Sequence, residues 1–157
     1  MITIDPAAKS PALSKPSLSR FANSARRAVN LSGEVDILLS TDAELKRLNR
    51  IFRSKNKPTD VLSFPAPPEI SEQHAGDLAI SIETAARQAK AFGHSLAGEL
   101  RILILHGLLH LTGMDHETDE GQMAAREAGL RHQLRLPTTL IERTHTPRPK
   151  RGQRRRA

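Results

Sequence analysis

The chain has 157 residues, the size of one domain with a single core, and its lack of cysteine excludes disulfides and thiolate metal sites. The net charge of +7 is unevenly spread. Residues 143–157, RTHTPRPKRGQRRRA, hold seven Lys or Arg and no acid, which leaves residues 1–142 with 17 basic and 17 acidic side chains. The expected organisation is therefore one neutral domain over 1–142 and a disordered basic tail over 143–157, suited to RNA or another polyanion. No run of 18 apolar residues is present, and MITIDPAAKS lacks a secretory signal pattern, so a cytoplasmic protein without a membrane span is expected.

In chain order, Ile2 to Asp5 alternates like a short edge strand, and Pro6 to Pro16 reads as a connection. Leu18, Phe21, Ala22, Ala25 and Val29 recur at helical spacing. Val35 to Leu39 reads as a strand. Thr41 and Glu44 have capping-box spacing before a helix carrying Leu45, Leu48 and Phe52. Val61, Leu62 and Phe64 suggest a strand stopped by Pro65, and GDLAIS a further one after a loop. Ser81 caps a helix that Gly93 stops, and Ser95 caps the next, which runs to about Thr112. That helix is apolar nearly all round, so it belongs at the centre of the domain. Asp119 to Leu136 reads as the final helix, with Met123, Leu130 and Leu134 facing inward. The order fits an α+β fold: a small mixed sheet, about five surrounding helices and a buried central helix.

The central helix ends in HGLLHLTGMDHE, residues 106–117. Residues four apart on a helix project side by side, so His106 and His110 can chelate one ion. Gly113 can end the helix in a left-handed turn that brings His116 to the same point. Three imidazoles satisfied by one cation avoid a burial cost of about 1–3 kcal/mol for each unpaired group. Three histidine ligands leave one tetrahedral position for water, the pattern of a catalytic zinc. The competing reading is a metalloprotease of the HExxH type, but its glutamate position is Gly107 here. A phosphodiester suits a site of metal and arginine without a dedicated carboxylate base.

HGLLHLTGMDHE closely resembles the signature H-G-x-L-H-L-x-G-Y-D-H of the YbeY family of bacterial endoribonucleases and rRNA maturation factors. LNRIFRSKNKPTDVLSFP resembles the family's second hallmark, and GDLAIS with GHSLAGEL its third; together they span roughly 34–135. The resemblance implies one zinc ion per chain on His106, His110 and His116. It also implies cleavage of single-stranded RNA in 16S rRNA 3′-end maturation, ribosome biogenesis and ribosome quality control. The small ribosomal subunit and its proteins would be partners, with no membrane or DNA role. The family's functional arginine falls on Arg53, which a guanidinium fork fits as a phosphate clamp; Lys55 and Lys57 follow as substrate contacts. Met114 stands where the family has tyrosine and Asn56 where aspartate is common. Asp115 is expected to support a ligand histidine or to form a turn. A zinc-braced, non-catalytic assembly factor is the alternative. His74, His94, His132 and His145 are expected at surface or capping positions. Four Phe and no Trp or Tyr leave little for base stacking.

Overall fold

Alternation in Val35, Ile37 and Leu39 and in Leu78 and Ile80 gives two strands one apolar face each, and the fold is arranged around that face. The computed structural model describes residues 1–144. Four strands form one sheet: β1 (Ile2–Ile4), β2 (Glu34–Ser40), β3 (Val61–Pro65) and β4 (His74–Ser81). Their spatial order is β1-β2-β4-β3. β1, β2 and β4 run parallel, with Ile37 opposite Leu78, and β3 lies antiparallel to β4 as an edge, with Phe64 opposite Asp77. Six α-helices are described: α1 (Lys15–Ala28), α2 (Asp42–Arg53), α3 (Ile82–Phe92), α4 (Leu96–Leu111), α5 (Gln122–Gln133) and α6 (Leu140–Thr144). None is long and apolar enough to cross a membrane.

The main core joins Val35, Ile37, Leu39, Leu78 and Ile80 to Leu18 and Ala25 of α1 and to the apolar residues of α4. On the opposite face, Leu62 and Ala79 pack with Leu45 and Leu48 of α2. As expected from its composition, α4 is central: Leu100, Leu103, Ile104, Leu108 and Leu109 are fully buried, each contributing about 1.5–3 kcal/mol. Ser95 caps it by accepting the Gly98 N–H at 3.0 Å. Gly107 sets how closely α4 approaches the sheet. A Cβ there would lie 2.8 Å from a methyl of Leu78 and 3.3 Å from the Ser63 hydroxyl, which itself donates to the Gly107 carbonyl at 3.1 Å. The position that carries glutamate in HExxH enzymes thus faces a packed sheet.

Three boundaries differ from the sequence expectation. The helix expected from Asp119 begins at Gln122, because both Asp119 carboxylate oxygens accept backbone N–H groups, from Gly121 and Met123, at 2.9 Å. A short helix, α6, follows where none was expected. The domain also extends past residue 142. Arg143 is buried and makes two 2.7 Å bonds to the carboxylate of Glu99, so it belongs to the fold rather than to the tail. The remainder of the expected tail, with His145, lies outside the described residues.

Candidate active site

The last two turns of α4 place His106 and His110 side by side, with ring centroids 4.8 Å apart. Gly113 takes φ of 100°, the left-handed turn its lack of a side chain permits. The chain folds back and brings the His116 ring to 5.2 Å from His106 and 5.7 Å from His110. One ligand nitrogen from each ring lies within 4.8 Å of the others. Burial holds His110 below the usual imidazole value, and His106 and His116 push the same way, against Asp115 and the Met114 backbone. A neutral ring is the form that binds a metal.

Two observations indicate that these residues fit a cation. His116 Nδ1 is buried without a hydrogen-bond partner, an uncommon state for a polar atom. His106 Nδ1 lies 2.9 Å from Oε2 of Glu127, which is also buried. A carboxylate only accepts, so this contact puts the His106 proton on Nδ1 and leaves Nε2 with a free lone pair. Three imidazoles without an oxygen ligand suit zinc far better than magnesium.

Glu127 was missed in the sequence. Its position in the inward row Met123, Glu127, Leu130 was the available signal, a charge among apolar residues at helical spacing. Asp115, the expected support, instead shapes the turn: its carboxylate accepts the Glu117 N–H at 3.0 Å and its carbonyl the Asp119 N–H. No hydrogen bond joins its side chain to a ligand histidine among the described residues.

The trio opens into a cleft of about 520 Å³, lined also by Arg53, Asp60, Ser63, Met114, Asp115 and Leu140 among others. Arg53 reaches it from the end of α2, where Ser54 in a left-handed conformation stops the helix. The structure therefore brings Arg53 and the three histidines together. Lys55 and Lys57 are exposed but do not line the cleft. Their loop is held by buried Asn49, whose amide donates to the Lys57 carbonyl at 3.0 Å. Asp60 faces the cleft, yet its oxygens are engaged by the Val61 N–H and Gln88. Phe52, 63% exposed beside Arg53, is held edge-on against Phe64 at 5.3 Å. The other histidines vary: His132 is exposed, His74 is half-buried near Asp77, and His94 is largely buried at 2.6 Å from Glu99. A second group, Asp36, His74 and Asp77, is more open, and the Met1 ammonium lies 3.2 Å from Asp36.

Residues 8–135 match the family described as Endoribonuclease YbeY. The chain belongs to this family. Within it, the Endoribonuclease YbeY of Koribacter versatilis is 52% identical over 144 residues, 92% of this chain and 93% of that protein. The Endoribonuclease YbeY of Solibacter usitatus is 48% identical over 134 residues, 85% of this chain and 88% of its own length. Among solved structures, TM1509 from Thermotoga maritima aligns with a TM-score of 0.58 at 25% identity, covering 99% of this chain and all of that one.

Proposed function

We propose that this YbeY-family chain is a zinc-dependent endoribonuclease, selective for single strands, acting on ribosomal RNA precursors in small-subunit maturation and quality control in the cytoplasm. One observation carries the reading: three convergent imidazoles and a guanidinium line the same cleft. The family membership supports RNA as the substrate.

His106, His110 and His116 would hold the cation. When bound, a divalent cation supplies Lewis acidity toward water or a phosphate oxygen. Arg53 binds the scissile phosphate through its fork and offsets the charge that develops on its oxygens. Glu127 keeps His106 in the ligating tautomer. Phe52 offers a ring face to an unpaired base, a contact that a duplex with stacked bases cannot make. Lys55 and Lys57 extend the positive charge outward from Arg53 along the strand. The basic stretch over 145–157 adds affinity that weakens with salt; removing it after Thr144 flattens that slope.

The test is cleavage of a short single-stranded RNA and its duplex by the purified full chain. The single strand is cut, the duplex is spared, and His110→Ala or Arg53→Ala lowers the rate on the order of a hundredfold. Either variant cutting as fast as wild type overturns the site assignment. Product ends identify the attacking group: a 2′,3′-cyclic phosphate means the RNA 2′-hydroxyl, and a linear phosphate formed in a single step means water.

A further inference from the structure

Helix α6 lies beyond residues 8–135, so the family match assigns it no role. Its first turn nevertheless contacts the histidine site. Glu127 is wholly buried, and its two oxygens each accept one N–H: Oε2 from His106 Nδ1 at 2.9 Å, and Oε1 from the Ile141 backbone at 3.0 Å. No Lys or Arg pairs with this carboxylate among the described residues; the His106 ring and the Ile141 N–H are the donors it meets. A buried carboxylate has to be satisfied by hydrogen bonds, and for Glu127 these two N–H groups supply them.

The far end of α6 is fixed as well. Arg143 grips Glu99 in the first turn of α4 through two 2.7 Å bonds, and its guanidinium lies 4.4 Å from the Phe92 ring centroid. Leu140, at the start of α6, lines the cleft itself. The helix is thus tied to α4 at one end and to the carboxylate behind His106 at the other.

We propose that α6 is a positioning element of the metal centre, holding through the Ile141 N–H the Glu127 carboxylate that orients His106. The inference rests on the reading that the histidine trio binds a cation. A helix that only seals the core would leave metal affinity unchanged in folded protein, and this separates the two roles. Removing the N–H to Glu127 should loosen the carboxylate, and with it the ring.

The experiment measures cobalt(II) affinity and the cobalt visible absorption band of the full chain, at a temperature where circular dichroism shows wild type and both Ile141 variants folded. Glu127→Gln keeps the shape but offers one acceptor where two N–H groups point, so cobalt binding should weaken about 10–100-fold with an altered band. Ile141→Pro removes the N–H at a first-turn position where proline is tolerated. Ile141→Ala, which keeps the N–H, corrects for lost packing. The proline variant should bind cobalt several-fold more weakly than the alanine variant. Equal affinity in those two overturns the role of α6 even if Glu127→Gln does not fold. Wild-type protein that binds no cobalt would instead overturn the histidine reading on which the inference rests.

Discussion

At the end of α4, His106 is buried, tied to a buried glutamate, and packed on a sheet that admits no side chain at Gly107. At the end of α2, Arg53 is exposed at the cleft, and Lys55 and Lys57 stand in solvent on the loop that follows, to which Asn49 donates at the Lys57 carbonyl. The two regions meet at one cleft. The first is specified by packing, so its geometry can be deduced from spacing and burial. The second is specified by charge on exposed side chains, which spacing alone does not distinguish from any solvated helix end. Substitutions should separate the two accordingly.

His106→Ala should give the largest effect. It removes a proposed ligand and leaves the buried Glu127 carboxylate without its ring partner, costing about 3 kcal/mol of stability, read by denaturant unfolding, together with cleavage activity. Arg53→Ala should do the reverse, lowering kcat/KM about a hundredfold while unfolding stability shifts by less than about 0.5 kcal/mol. If both variants lose stability alike, the contrast between the regions fails. Gly107→Glu should cost about 1–3 kcal/mol by forcing α4 off Leu78, and should confer no cleavage of casein. Phe52→Ala should weaken single-strand binding roughly tenfold in a fluorescence titration and leave metal content unchanged.

The smallest effect belongs to Asp42 at the start of α2. Burial alone would raise its carboxyl, but hydrogen bonds from Ser81, Thr84 and Arg87 hold it below the ordinary value of 3.8. A depressed carboxyl stabilises the fold above its unfolded value, and that contribution fades as pH falls through the folded one. Asp42→Asn should therefore cost about 1 kcal/mol at neutral pH and reduce the loss of stability below about pH 4.

The sequence made the local elements readable wherever side chains declare their own environment. Ser81 and Ser95 cap their helices as expected, Gly93 stops α3 in the left-handed region, and α4 is central because it has almost no polar face. Thr41 fulfils half of its capping box: its hydroxyl accepts the Glu44 N–H, while the Glu44 carboxylate pairs with Arg47 instead. Strand order was not readable, because hydrophobic alternation does not encode which edge β3 joins. Composition groups Arg143 with the basic tail, although Leu140 and Ile141 before it are apolar; its partner Glu99 lies 44 residues away. Glu127 escaped notice for the same reason, since its partner His106 is 21 residues distant. Helical spacing marks Glu127 as a charge in an inward apolar row, but it does not name a partner that far along the chain.

The most direct measurement is metal content and RNA cleavage on the same purified fraction, before and after a chelator. The account predicts about one zinc per chain, cleavage abolished by chelation with the helical signal retained, and recovery on adding zinc back. Protein that carries no stoichiometric transition metal yet cuts RNA at full rate, or whose cleavage survives chelation, would contradict it.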